Sequence, residues 1–202
     1  MIIPPIVNNN RDSGLYLLAG YPKTGKSTII QKFIDIEVQK RKGRVIIVTP
    51  DPFEWKHYPE INVNAPNPFK DINSPHKIIY QDGIIDLIAD DFRGFYDGLI
   101  AFDDCRCYTK PKIQEALRKL IIRRRHRSHD IIASAHGFTE IPPVFFTYAT
   151  KYIIFYTQDN IDRRKEEIGY SNFNAVKQAV NDVNKMYSKD SHFCKVINAN
   201  AL

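Results

Sequence analysis

The stretch "GLYLLAGYPKTGKST" at residues 14–28 decides the fold of this chain. Its first half is a short apolar run that ends in glycine, which is typical of a buried parallel β-strand. Its second half, from Gly20 to Thr28, fits the pattern G-x-x-x-x-G-K-[ST], and a helical pattern follows from Gly25. A strand, a glycine-rich loop and a helix in this order predict a phosphate-binding loop.

The chemistry of such a loop assigns a role to its residues. Backbone N–H groups and the positive end of the following helix can hold phosphates, and the glycines allow the tight turn. Lys26 is expected to reach the β- and γ-phosphates of ATP, and the Ser27 hydroxyl is expected to join the shell of Mg²⁺. The predicted nucleotide-binding residues are Gly20, Tyr21, Pro22, Lys23, Thr24, Gly25, Lys26, Ser27 and Thr28.

Composition limits the class of protein. The chain has 202 residues, of which 43% are hydrophobic, so we expect one domain over 14–202 after an extended arm over 1–13. The net charge of +6 suits a polyanion such as nucleic acid, although many soluble domains are as basic. The three cysteines lack zinc-ligand spacing, which favours reduced thiols in the cytoplasm. We expect a soluble chain with no signal peptide and no membrane span of its own.

Apolar runs alternate with helical patterns along the rest of the chain. Buried strands are predicted at 14–20, 44–49, 99–104, 130–136 and 152–157, an edge strand at 77–81 and a last strand within 192–198. Helices are predicted at 25–42, 83–96 and 111–123, with Thr109 as a hydroxyl N-cap for the third, and over most of 160–188. This order predicts a three-layer α/β domain with a mostly parallel central sheet flanked by helices.

Two acidic pairs are candidates for a metal site. Asp90 and Asp91 lie in a segment with apolar residues at helical spacing, which favours a helix face. Asp103 and Asp104 end the buried run "LIAFDD", so they are expected at the carboxyl edge of the sheet, beside the phosphates. We therefore assign Asp103 to Mg²⁺, through water, and Asp104 to the attacking water.

Four motifs together resemble the FtsK–HerA superfamily of P-loop ATPases that pump DNA, in particular the small genome-packaging ATPases of viruses. They are the phosphate loop, "TPDPFEW" (49–55), "LIAFDD" (99–104) and "RHRSHDIIASAHGFTEIPP" (125–143). The resemblance implies a RecA-like P-loop NTPase fold. Asp104 replaces the usual Glu, and His136 replaces the usual Gln as the polar sensor of the γ-phosphate. Asp51 and Glu54 match the family turn after the second strand, although a solvated turn has the same pattern.

The arginine run before the fifth predicted strand has two interpretations. Continued as a helix, the pattern of 111–123 would place Arg124 and Arg127 on the buried stripe. Because an unpaired buried charge is costly, either the helix ends near Arg123 or these side chains meet an anion. The resemblance favours Arg125 as a finger that reaches a neighbouring subunit's ATP, whereas the helical pattern points to Arg124 and Arg127. We rank Arg125 first and Arg127 second. A solvated basic helix end is the alternative.

The resemblance also implies partners. It implies an oligomeric ATPase, a ring of five or six subunits, that drives double-stranded DNA into a capsid, acting with a capsid or portal vertex protein in the host cytoplasm or at the virion vertex. DNA phosphates are expected on Lys110 and Lys112, whereas the basic residues 40–42 more simply complement a helix dipole.

Three other functions remain open at this point. The first is a phage assembly or secretion ATPase of the zonula-occludens-toxin-like type, which shares the ATPase pattern. The second is a nucleoside or nucleotide kinase, in which the arginine run would form a lid over the phosphates. The third is a structural protein with a vestigial phosphate loop, which the lysine, hydroxyl and acidic pair argue against.

Overall fold

The structure is a computed structural model that describes residues 12–108 and 111–199. Residues 1–11 of the expected N-terminal arm, and Thr109 and Lys110, lie outside this range. The strands are β1 (Leu15–Ala19), β2 (Val45–Thr49), β3 (Pro75–Ile79), β4 (Gly98–Phe102), β5 (His129–Ala135), β6 (Lys151–Ile154) and β7 (Lys195–Asn198). The α-helices are α1 (Lys26–Lys40), α2 (Ile84–Ile88), α3 (Pro111–Arg123), α4 (Pro143–Tyr148), α5 (Lys165–Ile168) and α6 (Tyr170–Met186).

The described strands form one seven-stranded sheet in the order β3-β2-β4-β5-β1-β6-β7. Every neighbouring pair is parallel except β6 and β7, which run antiparallel. The carboxyl ends of the parallel strands therefore meet at one edge of the sheet, which we call the C-edge, and their amino ends at the opposite N-edge. Because β5 lies between β1 and β4, the loops after these three strands are neighbours at the C-edge.

The sheet is covered on both faces, which explains why its central strands are apolar without alternation. Leu18 of β1 packs with Ile30 and Ile34 of α1 on one face. Leu17 of β1 faces a larger cluster to which α2, α3, α4, α5 and α6 contribute. The predicted three-layer α/β class with a mostly parallel sheet is thus confirmed. Among the described residues, no helix combines the length and apolar character needed to cross a membrane.

One predicted helix is much shorter than its pattern indicates. The prediction of a helix over 83–96 is wrong beyond α2, which ends at Ile88. Asp90 Oδ1 accepts hydrogen bonds from the backbone N–H groups of Phe92 (2.9 Å) and Arg93 (2.7 Å), so the chain turns instead. An aspartate that bonds local N–H groups competes with helix formation. Asp90 and Asp91 consequently do not form a helix face.

Arg127 stabilises the end of α2 and the loop that leads from it to β4. Its guanidinium donates to the carbonyls of Ile88 (3.2 Å) and Ala89 (2.8 Å) and to the carboxylate of Asp91 (2.7 Å). It also lies over the ring of Tyr96, 4.7 Å from the centroid. The Arg127 guanidinium thus caps the negative C-terminal end of α2. Arg127 itself lies far from α2 in the chain, in the short turn between α3 and β5.

Arg124 is buried in the same way. Its guanidinium donates to the carbonyls of Ser13 (2.8 Å) and Ile121 (3.1 Å), and burial lowers its pKa. The helix does end at Arg123, and the two buried arginines meet carbonyl groups. Arg125 and His126, in contrast, are exposed. The run is therefore partly a structural connection between α3 and β5.

We predict that Arg127→Ala lowers the free energy of unfolding by about 2–4 kcal/mol, because it removes a buried side chain, the donor to the Ala89 carbonyl and one donor each to the Ile88 carbonyl and the Asp91 carboxylate. Arg125→Ala is the matched control and should change stability by less than about 0.5 kcal/mol, since its side chain is exposed. Urea unfolding followed by circular dichroism measures both. Equal losses in the two variants would contradict this role of Arg127.

Candidate nucleotide-binding site

The loop between β1 and α1 has the backbone that its glycines permit. Lys23 and Gly25 adopt φ values of 63° and 105°, which turn the loop tightly around the start of α1. A Cβ at Gly20 would lie 2.4 Å from the Cβ of Phe155, so only glycine fits beside the end of β6. The N–H groups of Gly20 and Tyr21 donate to the carbonyls of Ala135 and Tyr156, which tie the start of the loop to the ends of β5 and β6.

Lys26 lies at the centre of this loop. Its Nζ donates to the carbonyls of Gly20 (2.6 Å) and Tyr21 (2.9 Å). Burial lowers its pKa, and the opposing influence of Asp103, Asp104 and Glu140 partly offsets that effect. Lys26 therefore lies close to three carboxylates, and its ammonium group is the cation that the phosphate loop itself supplies.

Asp103 directly follows β4 and is held from two sides. Its Oδ1 accepts a hydrogen bond from Ser134 Oγ (2.7 Å) of β5, and its Oδ2 accepts one from Trp55 Nε1 (2.8 Å). Each carboxylate oxygen retains a further lone pair for a metal-bound water. The predicted position of Asp103 at the C-edge, beside the phosphate loop, agrees with this geometry.

Trp55 is a site residue that the sequence reasoning missed. The indole is 7% exposed, and the residue adopts a φ of 51°, which is rare for a bulky side chain. Its ring stacks on Tyr58, whose hydroxyl interacts with Gln31 of α1. The strained backbone thus aims the indole N–H at Asp103. The aromatic end of "TPDPFEW" was the signal available for it.

The acidic residues of that same motif do not reach the site. Asp51 Oδ1 accepts from the backbone N–H of Phe53 (2.8 Å), and both Asp51 and Glu54 are exposed. They form the turn that carries Trp55 toward β4. For these two residues the solvated-turn interpretation fits the structure.

Asp104, the second acid, is engaged by a neighbouring cation. It adopts a φ of 53°, and Arg106 donates to its Oδ1 (2.8 Å) and Oδ2 (2.5 Å). Burial opposes ionisation of this carboxyl, but Arg106 and His136 outweigh it, so its pKa is lowered overall. Asp104 is therefore ionised at neutral pH, and its remaining lone pairs can accept from a water.

His136 follows β5 and lies between the phosphate loop and the acidic pair. Its backbone N–H donates to Glu140 Oε2 (3.0 Å), and Glu140 is also 4.0 Å from Arg106 Nε. Glu140 and Arg106 are thus two more charged residues of the site that the motifs did not single out. Glu140 belongs to the quoted "GFTEIPP" segment, where its charge was the only signal.

The oxygen donors of the site suit a magnesium ion. Ser27 and Thr28 are exposed at the start of α1, and Asp103 supplies a carboxylate at the same C-edge, from the end of β4. Mg²⁺ in nucleotide sites retains several waters and takes few protein ligands beside the phosphates. The donor set of Ser27 and Asp103 fits that requirement.

The arginine run lies far from this loop. Arg125 stands just before the amino end of β5, whereas the phosphate loop follows the carboxyl end of β1. Seven residues of strand separate the two edges by about 23 Å. Arg125 therefore cannot contact a nucleotide in its own subunit, and the run cannot form a lid over that nucleotide.

Two further predictions about basic residues have different outcomes. Arg127 is 4% exposed and committed to Ile88, Ala89 and Asp91, so its assignment as a finger is corrected to a structural cap. Lys110 lies outside the described residues, as does the side chain of Lys112.

Comparison with known proteins gives matches to solved structures only. No protein-family model and no curated protein matches the sequence. The genome packaging NTPase B204 from Sulfolobus turreted icosahedral virus 2, in complex with AMP, superposes with a TM-score of 0.68 at 17% identity, over 96% of this chain and 95% of that chain. Its AMPPCP complex gives 0.65, at the same identity and coverage.

Two further solved structures match less closely. The DNA-packaging ATPase B204 from Sulfolobus Turreted Icosahedral Virus gives a TM-score of 0.63 at 17% identity, over 91% of this chain and 96% of that chain. The N-terminal domain of zonular occludens toxin from Neisseria meningitidis gives 0.45 at 12% identity, over 94% and 95%. The chain therefore has the fold of the B204 genome-packaging NTPases, the kind of protein that its motifs resemble.

Proposed function

We propose that this protein hydrolyses ATP with Mg²⁺ and uses the energy to move double-stranded DNA, as a genome-packaging motor. The observation that carries the proposal is the meeting of three strand ends at the C-edge, where Lys26, Asp103 and Asp104 surround one phosphate loop. A lysine, a metal carboxylate and a water-orienting carboxylate are the parts that nucleotide hydrolysis requires. The likeness to B204 packaging NTPases in complexes with AMP and AMPPCP supports the same function.

We infer a role for each residue of the site. Phosphate oxygens compete with the carbonyls of Gly20 and Tyr21 for Lys26 Nζ, so nucleotide binding draws the ammonium toward the β- and γ-phosphates. Ser27 and Asp103 would hold Mg²⁺, which would neutralise charge that develops on the transferred phosphoryl group. Asp104 orients the attacking water, and His136 contacts the γ-phosphate from the end of β5.

Arg125 is the residue that we assign as the arginine finger, which contacts the ATP of a neighbouring subunit. An exposed arginine at the N-edge can serve only a nucleotide of another subunit, because its own is a full strand length away. We propose that a ring of this chain, of five or six subunits, brings Arg125 of each subunit to the phosphate loop of the next. The motor then acts with a capsid or portal vertex protein, in the host cytoplasm or at the virion vertex.

The first prediction tests hydrolysis and its coupling to DNA. Lys26→Ala should lower phosphate release by about 10²–10³-fold, because it removes the cation from the transition state. Lys32→Ala, on the exposed side of α1, is the control and should keep full activity. Duplex DNA should raise the rate of the wild type. If the wild type with DNA and Mg²⁺ releases no more phosphate than Lys26→Ala, the proposed function is wrong.

The second prediction concerns the hydrogen bond from Trp55 to Asp103. Trp55→Phe should raise the Mg²⁺ concentration needed for half-maximal hydrolysis by about tenfold, because residues that orient a metal ligand tune its affinity. Tyr58→Phe alters the same aromatic cluster without touching Asp103, so it should leave the Mg²⁺ dependence unchanged.

The hydrogen bond from Trp55 to Asp103 can also be followed by tryptophan fluorescence in the wild-type protein. Trp55 is the chain's only tryptophan, so its fluorescence should change when Mg²⁺ and nucleotide bind to the wild type. An unchanged Mg²⁺ dependence in Trp55→Phe, together with unchanged fluorescence in the wild type, contradicts the positioning role.

The third prediction tests Arg125 by subunit mixing. Arg125→Ala and Lys26→Ala should each be inactive alone, whereas mixtures should regain activity, since a wild-type loop then meets a wild-type arginine. Phosphate release across mixing ratios is the measurement. Full activity of Arg125→Ala alone would show that Arg125 is not a finger.

A further inference from the structure

A cleft of about 510 Å³ opens at the N-edge of the sheet, away from the phosphate loop. Its walls come from three segments that each lead into a strand: the turn before β2, the loop before β3 and the loop between α2 and β4. The nucleotide site is built from segments that leave strands. About 17 Å of five-residue strand separates the two sites, so the cleft is not part of the nucleotide site.

The walls of this cleft carry an excess of positive charge. Lys42, Arg44, Lys70 and Arg93 line it, and Asp97 is the one acidic residue among the lining residues of the described chain. Lys42 Nζ pairs with Asp97 (2.5 Å), which compensates a single charge. The cleft therefore retains a net excess of cations and favours an anionic ligand.

The cations differ in how firmly they are held. Arg44 donates to the carbonyls of Tyr96 (3.0 Å), Ile72 (2.6 Å) and Phe69 (3.1 Å), so its charge is fixed at the wall. The side chains of Lys70 and Arg93 are exposed, and no ion pair of either is found within residues 12–108 and 111–199. Arg93 lies close enough to Asp90 to help lower the pKa of that carboxyl, yet both cations are exposed and can bind an external anion.

An aromatic side chain stands at the rim. The side chain of Phe92 is 67% exposed to solvent, and Phe92 lies next to Arg93. An exposed aromatic ring beside cations is the combination that nucleic-acid-binding surfaces use, with cations for phosphates and a ring for apolar contact with sugar or base.

The depression continues beyond the cleft. A second cavity of about 300 Å³ shares Lys42, Arg44 and Lys70 with the first and adds Asp71. Asp71 reduces the positive charge of the second cavity, so the excess of cations is greater in the first, which Arg93 also lines. An elongated basic groove suits a polymer of phosphates better than a single small anion.

We propose that this N-edge cleft binds the sugar–phosphate backbone of DNA, with Lys70 and Arg93 as the principal phosphate contacts. The identity of the polyanion rests on the proposed function, whereas the location of the site rests on the cleft alone. The contacts are made to phosphates, so binding is independent of base sequence.

The test compares DNA binding by the wild type and by Lys70→Glu/Arg93→Glu, using fluorescence anisotropy of a labelled duplex of mixed sequence at several salt concentrations. The double variant should bind about tenfold or more weakly at 0.1 M salt. The slope of log K against log salt should become shallower by about 1.8, because each phosphate contact contributes about 0.9.

A matched control separates the cleft from net charge. Lys151→Glu/Arg163→Glu makes the same change of charge at two exposed residues remote from the cleft, in β6 and after it. This control should keep the affinity within about threefold and keep the salt slope within about 0.5 of the wild type. ATP hydrolysis without DNA should be the same in all three proteins, which verifies that they are folded.

Each outcome has a defined meaning. Equal losses of affinity in the two double variants, or no loss in the cleft variant, would overturn the proposed site while leaving the proposed function standing. DNA binding by neither the wild type nor the variants at low salt would overturn both. Loss of DNA-free hydrolysis in the cleft variant would assign Lys70 and Arg93 to folding instead of DNA binding.

Discussion

The carboxylate of Asp103 is the point at which the site is assembled. Ser134 holds one of its oxygens from β5, and Trp55 holds the other from the turn after β2. Two neighbouring strands and a loop therefore converge on one residue, and the position of β5 between β4 and β1 brings it to the phosphate loop. Loss of either donor would leave the carboxylate mobile, since a loop residue just after a strand has little else to fix it.

The arginines before β5 show a different solution to the problem of buried charge. Arg124 and Arg127 point into the protein, yet neither depends on a buried ion pair, because backbone carbonyls accept most of their hydrogen bonds. The carbonyls of Ile88, Ala89 and Ile121 lie at the ends of α2 and α3, where intrahelical donors are missing, and that of Ser13 lies just before β1. The guanidinium fork satisfies several at once, which a lysine could not do with the same geometry. The basic run thus serves the fold first, and only Arg125 and His126 remain for a partner.

The sequence could predict those features that arise from local patterns. Unbroken apolar runs identified the central strands, and the glycine-rich pattern identified the loop around Lys26, because both depend on neighbouring residues. The end of α2 was missed because the apolar spacing around Asp90, which turns the chain, fits a helix equally well, and because Arg127, which caps this end, lies 38 positions further along the chain. Trp55 was also missed, because its partner Asp103 is 48 positions away. Features that are made by contacts between distant segments require the fold before they can be recognised.

The separation of the two edges also constrains any assembly. The phosphate loop and the acidic pair lie at the C-edge, whereas Arg125 and the basic cleft lie at the N-edge. If Arg125 serves a neighbour's nucleotide, the interface joins the N-edge of one subunit to the C-edge of the next. Such an interface is heterologous, so repetition of it produces a ring or a filament and never a closed two-fold dimer. Arg125 lies one strand length from the phosphate loop of its own subunit. It can therefore act as a finger only if the subunits assemble head to tail.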